Sequence, residues 1–198
     1  MKTLFNQKLL LLAISLFAIT ACEDDDKIKT TGHLSLDSEE TKVASGWFLY
    51  DTSPNQDSEE NDYYRNQLIL VGKGLKVEKD GDDYDVDGNG DVLTLLINNE
   101  DQGLQVGTYT WQSEENEQPF DLWDGNYIQN MNTEDEINYR LYSGILTVSK
   151  SGSKYKINFE GLAYIEIETD GFKSAAGLPA IPVSAEFEGK LHKGPFGF

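Results

Sequence analysis

An aspartate-rich segment, residues 83–91, carries the most specific pattern of potential metal ligands in the chain. It reads DYDVDGNGD and places carboxylates at its first, third, fifth and ninth positions, with a glycine at the sixth. This pattern follows the start of an EF-hand-type calcium loop, where alternating carboxylates supply oxygen ligands. The twelfth position is Thr94 rather than a bidentate glutamate, and the flanking segments predict strands rather than helices. The alternative is a hairpin loop, because Asp, Asn and Gly also dominate turns for backbone reasons. We predict calcium as a candidate cofactor, with the ligands Asp83, Asp85, Asp87 and Asp91.

A second candidate site is a cluster of aromatic residues mixed with amides and carboxylates. Six rings fall within a short span: Trp111, Phe120, Trp123, Tyr127, Tyr139 and Tyr142. An exposed ring can pack on the apolar C–H face of a sugar while nearby polar groups bond its hydroxyls, whereas buried rings fill the core of a β-fold. The loop-like segment 121–126 makes Trp123 the best candidate for an exposed ring. We therefore predict a ligand-binding site formed by Trp123, Asp124, Asn126 and Tyr127.

Catalytic chemistry has little support in the sequence. The two histidines, His33 and His192, lie far apart, and neither accompanies a recognisable nucleophile motif. Two distant histidines do not make a zinc site, and no glycine-rich phosphate loop of the required spacing is present. A carboxylate pair for glycoside hydrolysis stays open among the 35 acidic residues, because that chemistry depends on a spatial separation. The sequence favours a binding protein over an enzyme.

The first 21 residues have the three parts of a secretory signal. Lys2 and Lys8 give a positive start, residues 9–19 form an apolar run interrupted by Ser15, and small residues follow. The apolar run is too short to cross a bilayer as a helix, which takes about 20 residues. We predict that residues 1–21 are removed on export.

The residues at the predicted cleavage site, Ile19-Thr20-Ala21-Cys22, resemble the lipobox of bacterial lipoproteins. The resemblance implies that the Cys22 thiol receives a diacylglyceryl group and that cleavage frees an amine that is usually acylated. Stable anchoring needs more than one acyl chain. Because Cys22 is the only cysteine, no disulfide within the monomer competes for it. The alternative is an ordinary secretory peptide with a stray cysteine beside its cleavage site.

The acidic run that follows, Glu23–Asp26, resembles the surface-export signal of Bacteroidetes-type lipoproteins. This resemblance implies a location on the outer face of the outer membrane, anchored by lipid. The alternative is a solvated charge run, which acidic blocks usually are. We therefore expect the membrane to be a partner through Cys22.

The charge of the chain restricts its partners. It contains 16 basic and 35 acidic residues, a formal charge of −19, and loss of Lys2 and Lys8 with the signal makes the mature chain more acidic still. Nucleic acids bind Lys/Arg clusters, so this composition argues against nucleic acid and against a polybasic membrane-binding face. Neutral sugars, cations and basic protein surfaces remain compatible with it.

The alternation of apolar and polar residues predicts an all-β fold. Residues 155–160, 165–168 and 183–188 alternate strictly, which is typical of antiparallel strands with one wet face. Residues 150–153 predict a hairpin turn in which Gly152 is free to take positive φ. No stretch of ten residues after the signal has a helical period. We predict a single antiparallel β-sandwich or jelly-roll/barrel-like domain of about nine to eleven strands.

Three segments follow from these patterns. We predict a lipoprotein signal peptide over residues 1–21, a lipidated acidic tether over residues 22–40, and the antiparallel β domain over residues 41–198. The length suits one domain, which at this size buries roughly 70% of its unfolded surface.

From about Val92 to Leu191 the order of strands and turns is similar to that of small β-rich Bacteroidetes lipoproteins of uncharacterised function. Four segments carry this resemblance: LQVGTYTW (104–111), SGILTVSKSG (143–152), YKINFEG (155–161) and EFEGKL (186–191). The resemblance implies exposure at the cell surface and, for some such families, a place among glycan-uptake machinery. It implies no catalytic residues.

Three functional hypotheses remain at this point. The first is a surface-anchored binding or accessory lipoprotein of the cell envelope, with a glycan or another envelope protein as its partner. The second is a structural or assembly subunit of an outer-membrane complex with no small ligand. The third is a carboxylate-dependent glycoside-active enzyme.

Overall fold

Alternating apolar and polar side chains produce strands along nearly all of the described chain. The computed structural model describes residues 28–56, 62–80, 83–112, 119–165, 167–169, 172–174 and 179–196. These residues form β1 (Thr31–Leu36), β2 (Glu39–Asp51), β3 (Asn55–Gln56), β4 (Asp62–Gly72), β5 (Leu75–Asp80), β6 (Asp83–Gly88), β7 (Gly90–Asn99), β8 (Gly107–Trp111), β9 (Asp121–Met131), β10 (Ile137–Ser151), β11 (Lys154–Ile165), β12 (Ile167–Thr169), β13 (Phe172–Ser174), β14 (Ile181–Gly189) and β15 (Leu191–Phe196).

Eight of these strands close into an antiparallel barrel. Strands β1, β2, β4, β7, β9, β10, β11 and β14 each pair with the next in this order. The ring is closed by β14 and β1, with Leu34 opposite Ala185. The predicted all-β class is confirmed, with eleven strands in the main sheet. Because the ring of eight strands is closed, the fold is a barrel rather than the sandwich that the sequence also allowed. A closed barrel lacks the open sheet edges of a sandwich.

Three short strands extend the barrel near one end. Strand β15 runs parallel to β2, β8 lies between β10 and β9, and β3 pairs with β4. This end also carries Ile28, where the described chain begins, and the turn between β10 and β11. We call it the entry end. The opposite end carries the β1–β2 turn at Asp37 and Ser38 and the β9–β10 connection.

The barrel interior is filled by apolar side chains from alternating strand positions. Phe48, Leu95, Phe159 and Phe187 are fully buried there among many other aliphatic and aromatic groups. The ring of Phe159 lies against Gly144, where a Cβ would approach the ring to 2.5 Å. An eight-stranded barrel has an interior just wide enough for side chains to fill. The candidate sites therefore lie on the outer surface and at the barrel ends.

A hairpin formed by β5 and β6 folds over the outside of the barrel. Its apolar side chains pack with outward-facing residues of β2, β4 and β7 in a second cluster that includes Leu49, Ile69, Val71, Leu75, Tyr84, Val86 and Val92. The hairpin thus buries apolar surface that the outer face of the barrel would otherwise expose to water.

The barrel begins earlier than the sequence indicates. Strand β1 starts at Thr31, inside the segment 22–40 that was predicted to be a tether, so the domain begins there rather than at residue 41. Leu34 and Leu36 point into the core while His33 and Ser35 alternate with them. With two apolar positions, this strand has too weak a pattern to stand out, and its pairing with β14 stabilises it.

The predicted turn between β10 and β11 is confirmed, and Gly152 adopts a φ of 59° there. The described residues contain no helix that is long and apolar enough to span a membrane. The predicted signal peptide over residues 1–21, the lipid site Cys22 and the acidic run Glu23–Asp26 lie outside the described residues.

Candidate functional site

The predicted calcium ligands are divided between two strands. Asp85 and Asp87 are exposed on β6, on the face of the hairpin that points away from the barrel, whereas Tyr84 and Val86 pack toward it. The backbone of Asp83 belongs to the same strand, but its side chain lies outside the described residues. Residues 83–88 are therefore a strand of the outer hairpin and not a loop.

Asp91, the fourth predicted ligand, is buried near the opposite end of the barrel. Its carboxylate accepts hydrogen bonds from the Thr41 hydroxyl at 2.6 Å, the Tyr127 hydroxyl at 3.0 Å and the Asn130 backbone N–H at 3.0 Å. These bonds satisfy a buried charge. No group of three or more His, Cys, Asp or Glu in the described part of the chain is arranged to hold a metal ion. The calcium site stays a prediction.

An acidic groove of about 770 Å³ runs along the outer hairpin. Its charged lining residues are Glu78, Asp85, Asp87 and Lys79. Glu78 lies directly opposite Asp85 in the β5–β6 register. Asn132 closes one side by donating its amide hydrogens to the carbonyls of Val86 and Gly88. This groove holds the exposed part of the aspartate motif.

The predicted ligand-binding set is also divided. Tyr127 points into the barrel, is 1% exposed and bonds to Asp91. Burial raises the pKa of the Tyr127 hydroxyl, and the Asp91 charge raises it further. Trp123, Asp124 and Asn126 are half-buried on the same strand, β9. The structure therefore brings these three together and separates Tyr127 from them.

Trp123 is half-buried, in contrast to the exposure expected from its loop-like sequence. The Arg65 guanidinium lies 5.3 Å from the centroid of its ring, a cation–π contact across the outer surface. The indole N–H is buried and makes no hydrogen bond within the described residues. Its ring is thus already engaged by a neighbouring side chain.

The exposed ring of the aromatic cluster is instead Tyr142, on the outer face of β10 next to the half-buried Tyr164 of β11. Tyr142 and Tyr164 stack with their centroids 5.9 Å apart and their planes at 29°. Leu162 shares the outer face of β11 with Tyr164, and Ile145 lies farther along β10, opposite Glu160. The exposed fractions of Tyr142, Ile145 and Leu162 are 40%, 54% and 36%. We call Tyr142, Tyr164, Ile145 and Leu162 the tyrosine patch. Tyr142 belongs to the aromatic cluster noted in the sequence, but Tyr164 does not.

A polar row borders the tyrosine patch. Arg140 of β10 lies directly opposite Asn126 of β9 and Tyr164 of β11, so the three side chains share the outer face. The Arg140 guanidinium also pairs with the Asp124 carboxylate at 3.3 Å. A stacked pair of rings beside an amide and an ion pair offers an apolar platform with hydrogen-bond donors and acceptors at its edge.

The alternation in β11 could have identified Tyr164 from the sequence. Phe159 and Ala163 are buried, which places Leu162 and Tyr164 on the outer face. Comparison of the chain with protein-family models, with characterised proteins and with solved structures finds no match.

Proposed function

We propose that this protein is a surface-anchored binding or accessory lipoprotein of the bacterial cell envelope, and that its tyrosine patch binds a neutral glycan. The anchor is the lipid on Cys22, and the location is the outer face of the outer membrane. The lipobox at residues 19–22 and the acidic run at residues 23–26 support this part of the proposal.

The distance between anchor and domain fits this arrangement. Residues 23–30 separate Cys22 from the first strand, and an extended segment of that length spans at most about 30 Å. The barrel would therefore lie close to the bilayer, with its outer face open to the surroundings of the cell.

The stacked pair Tyr142–Tyr164 is the observation that carries the glycan proposal. Because the described interior of the barrel is filled, a ligand has to bind on the outside. Exposed contiguous apolar patches on a protein surface commonly mark binding sites. The rings supply flat apolar area for sugar C–H groups, and Asn126, Arg140 and Asp124 supply hydrogen bonds at its edge.

A second candidate function is a structural or assembly subunit that docks on an envelope protein through the same patch. The aliphatic side chains of Ile145 and Leu162 favour it, because Ile145 is the more exposed at 54% and branched aliphatic groups suit a protein interface better than a sugar. The two functions differ in whether a soluble glycan competes for the patch.

The glycan proposal can be tested with the full-length lipoprotein in neutral detergent on an array of neutral polysaccharides. We expect binding that Tyr142→Ala and Tyr164→Ala each weaken by about fivefold, since stacking of a ring contributes on the order of 1 kcal/mol. Val106→Ala, which removes part of another exposed side chain, should leave binding unchanged. Equal binding by all variants would contradict the proposal, and absence of glycan binding with capture of an envelope protein would favour the second function.

Anchoring has its own test in cells. Cys22→Ser should move the protein from the membrane fraction to the soluble fraction, because the acyl chains supply the membrane affinity. Replacing Glu23–Asp26 with alanines should leave it in the membrane but protect it from protease added to intact cells. Membrane retention of Cys22→Ser would contradict lipid anchoring at this residue.

A further inference from the structure

A basic cleft of about 620 Å³ opens at the entry end of the barrel. Its lining includes Thr30, Lys150, Tyr155, Lys190, His192 and Lys193, and no Asp or Glu is among the described residues that line it. In a chain with a formal charge of −19, the side chains of Lys150 and Lys193 give this lining a local positive charge. Such a cleft concentrates anions against the average field of the molecule.

The ring of Tyr155 holds two of these lysines in place. It is almost fully buried at the barrel end, and the Nζ atoms of Lys150 and Lys193 lie 4.9 Å and 5.7 Å from its centroid. The electrons of the ring attract both ammonium groups, so each is held near Tyr155. An anion bound in the cleft would have two ammonium groups beside one ring.

The donors in the cleft suit phosphate oxygens. Lysine ammonium groups bind phosphate as compact point charges with several donors, and the hydroxyl of Thr30 and the imidazole of His192 add polar groups to the same lining. His192 is itself held in position, because its ring stacks on Trp47 with the centroids 4.6 Å apart. The cleft thus combines positive charge with preorganised side chains.

The cleft lies where the chain leaves the barrel toward its proposed anchor. Ile28, the first described residue, is part of its lining. The five residues 23–27 separate Ile28 from Cys22, and such a segment spans at most about 20 Å. If Cys22 is lipidated, the cleft is within reach of the headgroups of the same membrane.

We propose that this basic cleft binds the phosphate group of anionic lipid headgroups and so holds the entry end of the barrel against the bilayer. The choice of a lipid as the source of the phosphate depends on the proposed anchoring at Cys22. The tyrosine patch is a separate surface on the outer face of β10 and β11, and it stays available to its own ligand.

The test uses the full-length lipidated protein reconstituted into vesicles of phosphatidylcholine alone, or of phosphatidylcholine and phosphatidylglycerol in equal parts. Hydrogen–deuterium exchange is followed at the backbone amides of residues 150–155 and 189–193. We expect these amides to exchange more slowly by about fivefold or more in the anionic vesicles, the factor that one lysine near an anionic surface contributes.

Matched variants assign the effect to the cleft. Lys150→Gln/Lys193→Gln should abolish the difference between the two kinds of vesicle, and Lys150→Arg/Lys193→Arg should retain it. Lys73→Gln/Lys76→Gln removes two exposed charges outside the cleft and should also retain it. Equal exchange of the unsubstituted protein in both kinds of vesicle would overturn the proposal.

Two further results distinguish lipid phosphate from soluble phosphate, and membrane binding through the cleft from anchoring through Cys22. If millimolar inorganic phosphate reproduces the protection in neutral vesicles, the cleft binds soluble phosphate and the lipid proposal falls. Flotation with neutral vesicles reports anchoring alone, because neutral headgroups do not attract the lysines electrostatically. Flotation that occurs with anionic vesicles only, and that needs Lys150 and Lys193, would support the cleft and contradict the anchor.

Discussion

At the scale of single residues, the sequence predicts Asp91 and Tyr127 in two different sites, whereas the structure pairs them with each other. Along the chain, Asp91 belongs to the aspartate motif and Tyr127 to the aromatic cluster. The chain, however, passes from β6 into β7 between Gly88 and Gly90. Asp91 therefore lies on a different strand from Asp85 and Asp87. It shares the interior with Tyr127, whereas those two side chains are exposed.

The raised pKa of the Tyr127 hydroxyl leads us to expect a loss of stability at alkaline pH. Burial and Asp91 raise its pKa above the ordinary tyrosine value of 10.0, so the folded chain keeps this proton where the unfolded chain loses it. Its contribution to the free energy of unfolding is complete below pH 10 and is lost progressively as the pH rises above 10. Burial raises the pKa of Tyr109 and Tyr139 in the same direction.

Tyr127→Phe removes this ionisation. We expect the free energy of unfolding of the variant, measured by urea denaturation between pH 8 and pH 11, to decline less steeply with pH than that of the unsubstituted protein. Tyr142→Phe, at an exposed ring, serves as the control and should leave the slope unchanged. Parallel pH profiles for the Tyr127→Phe variant and the unsubstituted protein would show that Tyr127 carries none of this dependence.

At the scale of elements, the two faces of the β5–β6 hairpin differ in role, since one packs on the barrel and the other carries exposed carboxylates. Its inner face packs Tyr84 and Val86 on the outside of the barrel, while its outer face presents Asp85 and Asp87. The period of two along β6 explains both the aspartate motif and the apolar residues between its members. A calcium site and a packed hairpin are therefore compatible readings of one segment.

The calcium prediction requires that millimolar calcium raise the melting temperature of the chelator-treated protein, since a ligand that binds the folded state stabilises it. Asp85→Asn/Asp87→Asn should remove that rise. Asp91→Asn should lower the melting temperature but leave the rise intact, because Asp91 bonds to Thr41 and Tyr127 instead. If calcium leaves the melting temperature of the unsubstituted protein unchanged, the prediction of a calcium site is wrong.

At the scale of the whole molecule, closure of the barrel decides which surfaces are available for function. The paired strands β14 and β1 come from opposite ends of the described chain, and their pairing seals an interior that is filled by rings and aliphatic groups. Binding sites are then confined to the outer face and the ends. The tyrosine patch lies on the outer face, and the basic cleft lies at one end.

The filled interior makes a prediction about Gly144. A methyl group there would approach the ring of Phe159 to 2.5 Å, so Gly144→Ala should lower the free energy of unfolding by about 1–3 kcal/mol through overpacking. Phe159→Leu in the same chain should restore part of the loss by making room, a coupling that urea denaturation of the two single variants and the double variant would measure. Ser143→Ala, at the adjacent position, is the control. Strictly additive losses would show that the ring does not limit this position.

The sequence by itself determined the strands and their faces, because side-chain alternation is a local property that neighbouring residues carry. The β10–β11 hairpin and its turn at Gly152 could be predicted in this way. Strand β1 could not be predicted from its own residues, since Leu34 and Leu36 become part of a strand only through pairing with β14, late in the chain. The exposure of Tyr142 and the half-burial of Trp123 likewise depend on which strands are neighbours.

Only the tertiary structure determines which charged side chains lie near each other. The net charge of −19 argues against a basic surface, and as an average it holds for most of the molecule. Lys150 and Lys193 are far apart in the chain, and both approach the ring of Tyr155 because β10, β11 and β15 reach the same end of the barrel. Net charge is a sum over the chain, whereas a binding site depends on the few charges that folding brings within a Debye length of each other.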